Sequence, residues 1–184
     1  ARNANPNVTT WNIAKLNTAH AMFEGAISAN PDLGAWSMWK VWRVSGMFKY
    51  AISADPQIEG WNTGLMTDMS SLFRGAISAN PDLGSWAMDQ VTKASYMWDS
   101  ATYANPNTTR WQVQKVAQAT SMFAGATRAN PSVRDWQLSS LDLYYSKHFF
   151  CGATNVSIEK LNWWRNDFTW STNFNGADPA TISD

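Results

Sequence analysis

The sequence is poor in the residue types that most often carry catalysis or bind metal ions. Its 184 residues include one cysteine, Cys151, and two histidines, His20 and His148. A single cysteine excludes an internal disulfide framework, and a lone cysteine is more often a buried small hydrophobe than a nucleophile. Since no group of Cys and His has metal-ligand spacing, we predict neither a zinc site nor any other metal site.

Charge and long apolar runs are also scarce. Charged residues make up 15% of the chain, and 14 Lys plus Arg balance 14 Asp plus Glu. Nucleic-acid-binding domains concentrate basic residues, so this balance predicts no nucleic-acid partner. The apolar runs fall far short of the roughly 20 residues that cross a bilayer, so we predict no transmembrane segment. Neither a P-loop nor a G-x-G-x-x-G motif is present, and we predict no cofactor.

Tryptophan is abundant, and it marks an internal repeat. Six of the twelve tryptophans recur at one constant interval, the step from Trp11 to Trp36, and six of the seven prolines follow the same period. A fixed period of roughly 20 to 50 residues is the signature of stacked repeat architectures. The repeated residues are Trp11, Trp36, Trp61, Trp86, Trp111 and Trp136, with Pro6, Pro31, Pro56, Pro81, Pro106 and Pro131. Tryptophans that recur in this way are predicted to lie in the core.

A column of amides accompanies the prolines. Each repeated proline follows Asn or Asp, whose short side chains can bond the backbone of their own turn or of the next one. Two interpretations stay open: an asparagine ladder that joins consecutive repeats, or local turn chemistry before proline. Neither concerns catalysis. The residues of this column are Asn5, Asn30, Asp55, Asn80, Asn105 and Asn130.

The spacing of apolar residues changes within each unit. Trp36 and Met38 are two residues apart, as in a strand with one buried face. The following apolar residues are three, three, one and three residues apart, which predicts the apolar stripe of a helix. They are Val41, Val44, Met47, Phe48 and Ala51. The fold class predicted is therefore α/β, a right-handed solenoid of about seven strand–helix repeats.

The domain organisation follows from how far the period persists. We predict one repeat domain over residues 1–184, with regular repeats at 6–130. An irregular repeat at 131–153 carries its aromatic pair and Ala153 two residues late, which indicates a small insertion. Residues 154–184 are predicted to form a divergent capping region. The chain starts without the residue order of a signal peptide, which fits a cytosolic protein or a piece of a longer secreted one; we expect an excised piece of a surface protein.

Two stretches carry a family resemblance. The stretch NPDLGSWAMDQVTKASYMWDSA from Asn80 and the stretch WNTGLMTDMSSLFRGA from Trp61 resemble the repeats of BspA-like bacterial surface proteins. That family's unit pairs a tryptophan with a downstream valine, methionine, Met-Phe pair and alanine. The resemblance covers roughly residues 5 to 153. It implies a leucine-rich-repeat-like fold, a place on the cell surface or in the extracellular space, frequent use in cell adhesion, and no catalytic residues to transfer. The sequence departs from the family's pattern at the predicted helix starts, where several units lack the family's helix-capping serine or threonine.

Function in a repeat protein is expected where the units differ at exposed positions. Trp39 and Trp42 stand where later units have small or polar residues, and their separation of three places both on one face of the predicted helix. Lys40 lies between them. Their counterparts in the next two units are Gly64 and Thr67, then Asp89 and Thr92.

Arg43 and Tyr50 extend the same predicted stripe, and Tyr96 continues it on a later unit. Exposed aromatics beside an arginine are typical of protein-binding hot spots, and tryptophan faces also stack on sugar rings. The alternative is packing against a flanking helix. Tyr103 and Arg128 replace a small serine of earlier units; they either extend this surface or are solvated side chains.

The sequence thus predicts a ligand-binding or adhesion module of a bacterial surface or secreted protein. Its partner would be a protein, peptide or glycan on another cell or on matrix. The alternatives are a passive structural spacer and a carbohydrate-active enzyme. We predict no enzyme, because His20 and His148 lie five units apart, about 24 Å at strand spacing. A glycosidase would also need two facing carboxylates, and Asp68, Asp89 and Asp99 show no repeated pairing.

Overall fold

The computed structural model describes residues 2–3, 5–142 and 144–157. Most of the predicted capping region, 154–184, lies outside these residues. Within the described ranges the chain forms no helix, and its β-structure consists of isolated bridges between single residues. Four parallel bridges form one continuous row, Thr18–Arg43, Arg43–Asp68, Asp68–Lys93 and Lys93–Gln118. Consecutive repeat units therefore stack in parallel and in register.

Each repeat unit forms one layer of this stack, and we call such a layer a coil. Coil 1 spans residues 6–30, coil 2 spans 31–55, coil 3 spans 56–80, coil 4 spans 81–105 and coil 5 spans 106–130; coil 6 is described over 131–142 and 144–157. Backbone hydrogen bonds join equivalent parts of neighbouring coils. For example, the Thr67 N–H donates to the Trp42 carbonyl at 2.9 Å, and the Thr92 N–H donates to the Thr67 carbonyl at 2.9 Å.

The predicted strand–helix repeat is wrong. Where a helix was predicted, the chain forms successive β-turns, each closed by a hydrogen bond to the carbonyl three residues earlier. The Met47 N–H donates to Val44 O at 3.1 Å, and the Ala51 N–H donates to Phe48 O at 3.0 Å. Buried residues stand at both ends of each turn, so their spacing of three imitates a helical stripe.

The N–H groups between these turn-closing donors bond to the next coil instead. The Gly46 N–H donates to Ser70 O at 2.8 Å, and the Phe48 N–H donates to Leu72 O at 2.9 Å. In an α-helix these N–H groups would instead donate to carbonyls four residues earlier in the same segment. The right-handed, leucine-rich-repeat-like solenoid of alternating strands and helices is therefore replaced by a stack of turn-rich coils held together by backbone bonds between coils.

Two positions in each coil have a positive φ, which no right-handed helix allows. In coil 2 they are Gly46, with φ of 63°, and Tyr50, with φ of 60°. Each is the third residue of a β-turn, where a type II turn requires positive φ. The same two positions recur as Ala21, Gly25, Ser71, Gly75, Tyr96, Ser100, Ser121, Gly125, His148 and Gly152.

The core consists of columns of equivalent side chains from successive coils. Phe23, Phe48, Phe73 and Trp98 stack with ring centroids 5.5, 5.4 and 4.5 Å apart. The repeated tryptophans of coils 2 to 6 are buried, and each indole N–H donates to a carbonyl 28 residues earlier at 2.9 to 3.4 Å. Trp11 of coil 1 was predicted to be buried but is 48% exposed. Its indole stacks on Trp36 of coil 2, with ring centroids 6.1 Å apart.

Coil 6 contains two additional residues. The Trp98 N–H of coil 4 donates to Met122 O of coil 5, and the Phe123 N–H of coil 5 donates to Phe149 O of coil 6. The second of these bonds spans two more positions along the chain than the first. The aromatic pair of coil 6 still joins the column, since Phe150 stacks on Phe123 with centroids 5.4 Å apart. The insertion is therefore absorbed before this column, in the part of coil 6 that contains Tyr144 and Tyr145.

Candidate ligand-binding surface

Coil 2 presents two exposed tryptophans at one corner. The Val41 N–H donates to Met38 O at 2.9 Å, which closes a β-turn with Trp39 and Lys40 at its centre. Trp39 is 52% exposed and Trp42 is 47% exposed. The Lys40 ammonium lies 4.4 Å from the centroid of the Trp39 ring, so it covers one face of the indole. The other residues of this β-turn and its neighbours leave both indoles accessible from solvent.

Coil 3 adds an apolar side chain to this corner. Leu65 occupies the position of Lys40 one coil later and is 56% exposed. Neighbouring backbones in a parallel bridge lie about 4.8 Å apart, so Leu65 continues the apolar surface of coil 2. We call Trp39, Lys40, Trp42 and Leu65 the tryptophan corner.

Tyr50 and Tyr96 belong to a different part of the coils. Tyr50 has positive φ, and its ring lies against the backbone of Gly75 in coil 3. The Arg74 guanidinium of coil 3 lies 4.6 Å from the centroid of the half-buried Tyr96 ring in coil 4. We call Lys49, Tyr50, Arg74 and Tyr96 the tyrosine face. It crosses three consecutive coils.

Most cations near these aromatics are neutralised by a carboxylate of an adjacent coil. Lys49 Nζ lies 2.7 Å from Glu24 Oε1, and Arg74 Nε lies 2.8 Å from Asp99 Oδ2. Arg43 Nε lies 3.2 Å from Asp68 Oδ2 and donates to Ser45 Oγ at 2.7 Å. Among the described residues, Lys40 has no such carboxylate partner. Within the described part of the chain, the positive charge of the tryptophan corner is therefore uncompensated.

The six residues predicted to bind ligand thus fall into separate groups. Trp39, Lys40 and Trp42 belong to the tryptophan corner. Tyr50 and Tyr96 lie on the tyrosine face. Arg43 lies in the row of parallel bridges, which follows the tryptophan corner along the chain and precedes the tyrosine face. The argument that put them on one helical stripe fails because the helix is absent. Their role in binding stays a prediction.

Sequence reasoning missed Leu65, Lys49 and Arg74. Leu65 could have been found by the criterion that singled out Trp39, since its counterparts Lys40, Gln90 and Lys115 are polar. Lys49 and Arg74 occupy one repeat position, which holds opposite charges in coils 1 and 4. That alternation of charge along a column is the signal of ion pairs between coils.

The amide column forms a continuous row of hydrogen bonds. Each Asn or Asp side chain accepts, through Oδ1, the backbone N–H of the equivalent residue in the next coil. The six distances are between 2.7 and 3.1 Å. The donors are the N–H groups of Asn30, Asp55, Asn80, Asn105, Asn130 and Ser157. We call this row the asparagine ladder.

The ladder predicts the effect of substitutions at Asp55. Asp55 Oδ1 accepts the Asn80 N–H at 2.9 Å, so Asp55→Ala leaves a backbone donor without its acceptor. We expect a loss of about 1–2 kcal/mol in the free energy of unfolding. Asp55→Asn keeps an acceptor of the same shape and should change stability by less than about 0.5 kcal/mol. Urea denaturation of both variants measures the difference, and equal losses would show that Asp55 does not act through the ladder.

The two histidines lie in different coils, far apart along the stack. His20 lies in coil 1, where its Nδ1 is 2.8 Å from both the carbonyl and the hydroxyl oxygen of Ser45, and His148 lies in coil 6. Throughout the described residues, no three His, Cys, Asp or Glu side chains are grouped to hold a metal ion. None of the described segments forms a helix with the length and hydrophobicity needed to span a bilayer.

Stacked coils of one repeating length, joined by an asparagine ladder, define a repeat protein. The family described as "Mycoplasma protein of unknown function, DUF285" matches residues 1–63 and 52–164, so the chain belongs to this family. No curated protein and no solved structure matches the chain. The resemblance to BspA-like repeats stays a prediction, because the family description does not name them.

Proposed function

We propose that the chain is a ligand-binding module that uses its tryptophan corner in adhesion to a protein or glycan. The observation that carries this proposal is the contrast between two kinds of tryptophan. The repeated tryptophans of coils 2 to 6 are buried and hydrogen-bonded, whereas Trp39 and Trp42 are about half exposed. They stand at positions that later coils fill with small or polar residues, so the repeated core does not require them.

The exposed surface is large enough to contribute to binding. A tryptophan buries roughly 150–250 Å² when fully covered, so the two half-exposed side chains leave about 200 Å² for a partner. Covering that area contributes about 5 kcal/mol before the costs of association. Tryptophan is also enriched among the residues that dominate measured interface energies. The tryptophan corner therefore has the size and composition of a hot spot.

Lys40 shapes what the corner accepts. Its ammonium covers one face of Trp39, which leaves the opposite face for a sugar ring or an apolar side chain. Because Lys40 has no carboxylate partner among the described residues, the corner favours neutral or acidic ligands over basic ones. We place this adhesion role on the bacterial surface or in a secreted protein, because the resemblance to BspA-like repeats implies that location. The competing account, a passive spacer, gives no reason for clustering exposed aromatics.

The double variant Trp39→Ala/Trp42→Ala tests the proposal. The wild-type chain is applied to arrays of glycans and of extracellular-matrix proteins, and affinity for each bound probe is then measured by surface plasmon resonance. We expect the double variant to bind at least about tenfold more weakly, which corresponds to about 1.4 kcal/mol. Tyr144→Ala serves as the control, since this tyrosine is exposed in coil 6, away from the tryptophan corner.

Thermal melting by circular dichroism checks that the double variant folds normally. Binding that is unchanged in the double variant, or reduced equally by Tyr144→Ala, would remove the tryptophan corner as the site. A chain that binds no probe on either array would favour the passive spacer.

A further inference from the structure

One corner of the coils changes its chemistry halfway along the stack. In coils 1 to 3 this corner is an Ile-Ser pair, at residues 27–28, 52–53 and 77–78. In coils 4 to 6 the apolar residue becomes threonine and the serine becomes a larger polar residue. The replacing pairs are Thr102 and Tyr103, Thr127 and Arg128, and Thr154 and Asn155. The backbone position is unchanged, so the substitution alters only what the surface presents.

The altered corner borders a depression of about 550 Å³ beside the asparagine ladder. Its lining includes Tyr103, Arg128 and Asn155 together with Asn80 and Asn105 of the ladder. Two hydrogen bonds between coils fix its rim, because Thr154 Oγ1 donates to Thr127 O at 3.3 Å and Asn155 Nδ2 donates to Arg128 O at 3.1 Å. The volume is within the usual range of small-ligand sites.

Among the residues that the structure describes, the depression has one positive charge without a carboxylate partner. Arg128 lies with its guanidinium carbon 4.3 Å from the centroid of the Tyr103 ring. Arg43 and Arg74 each pair with a carboxylate, but Arg128 has no carboxylate partner in the part of the chain that the structure describes. No Asp or Glu of the described residues lines the depression. Its electrostatic preference is therefore for an anion.

The ladder supplies neutral donors next to this charge. Asn80 Oδ1 accepts the Asn105 N–H at 2.7 Å, and Asn105 Oδ1 accepts the Asn130 N–H at 2.9 Å. Since a backbone N–H needs an acceptor, the oxygen of each amide must face the ladder bond. The Nδ2 group of each amide is then left without a partner among the described residues, and so is the hydroxyl of Tyr103.

We propose that this depression binds a saccharide that carries a carboxylate. Arg128 would hold the carboxylate through two parallel N–H groups, and the amides of Asn80 and Asn105 would bond ring hydroxyls. A simple anion would use only the guanidinium. These donors extend from Asn80 of coil 3 to Arg128 of coil 5, about 10 Å at the spacing of parallel strands, which matches a sugar of one to three rings. The site is independent of the tryptophan corner.

Isothermal titration calorimetry tests this site on the full chain. The probes are trigalacturonic acid, N-acetylneuraminic acid, neutral maltotriose and sodium acetate. We expect at least one acidic saccharide to bind at least about tenfold more tightly than maltotriose and acetate. Arg128→Gln should abolish that preference, and Arg128→Lys should recover only part of it, because an ammonium lacks the planar pair of donors. Arg134→Gln is the matched control, an exposed arginine of coil 6 outside the depression.

Each possible result supports or overturns the acidic-saccharide site. Absence of binding by both acidic saccharides at millimolar concentration, or equal binding by maltotriose, would overturn the proposal. Acetate that binds as tightly as either acidic saccharide would identify a simple anion site instead. Unchanged binding in Arg128→Gln would also overturn it. The Trp39→Ala/Trp42→Ala variant should keep the Arg128-dependent preference for acidic over neutral saccharide, so the two proposals can fail separately.

Discussion

Replacing Trp86 by alanine should lower the free energy of unfolding by about 3–5 kcal/mol. The side chain is 2% exposed and stacks on Trp61 with ring centroids 5.9 Å apart. Its indole N–H donates to Ile58 O at 3.1 Å, so truncation removes both apolar packing and a bond between coils 3 and 4. Urea denaturation followed by tryptophan fluorescence and far-ultraviolet circular dichroism measures the loss.

Trp39→Ala is the matched control, because it removes the same side chain from an exposed position. We expect a change of less than about 1 kcal/mol. Hydrogen exchange adds a spatial test. In a repeat protein each unit is stabilised mainly by its neighbours, so amides between coils 3 and 4 should lose the most protection in Trp86→Ala. Similar losses of stability in both variants would contradict the assignment of Trp86 to the core and Trp39 to the surface.

Gly75→Ala should lower the free energy of unfolding by about 2–4 kcal/mol, for two separate reasons. Gly75 has φ of +65°, where a Cβ is strained, and an added Cβ would lie 2.5 Å from Tyr50 Cδ1. Gly25 has nearly the same φ, +67°, but nothing lies within 4 Å of an added Cβ. Gly25→Ala should therefore cost only the backbone strain, about 1–2 kcal/mol. Thermal and urea unfolding of both variants measure the difference.

A double-mutant cycle isolates the contact with Tyr50. In a Tyr50→Ala background the space beside Gly75 is open, so Gly75→Ala should cost no more than Gly25→Ala. The coupling between the two substitutions should then be about 1–2 kcal/mol. A cycle without coupling would show that the tyrosine ring moves aside freely, and the tyrosine face would then be mobile at this point.

The sequence revealed the repeat and its buried columns but not the backbone that connects them. Val44, Met47, Phe48 and Ala51 are buried, as their periodicity predicts. A spacing of three, however, is shared by a helical stripe and by β-turns whose first and last residues are buried. The recurrent glycine at the position of Gly75 was the available warning, because a helix interior disfavours glycine.

The surface was only partly predictable for a related reason. Comparing repeats identifies Trp39 and Trp42 as residues that the core does not require, and both are exposed. The partners of surface residues depend on how the coils stack. Arg43 and Arg74 each pair with the carboxylate at the equivalent position of the next coil, but Arg74 also contacts Tyr96, which precedes that position in coil 4. These different offsets follow from side-chain reach between coils, which a linear pattern does not encode.

In the asparagine ladder, the oxygen and the nitrogen of one side-chain amide have different roles. Oxygen holds the next coil, and at Asn80 and Asn105 nitrogen remains for solvent or ligand. Replacing such an amide by a carboxylate would leave the architecture intact, as Asp55 already demonstrates within the row. It would nevertheless place a negative charge beside Arg128. A single exchange of asparagine for aspartate in this row can therefore alter the charge of the surface while its shape is preserved.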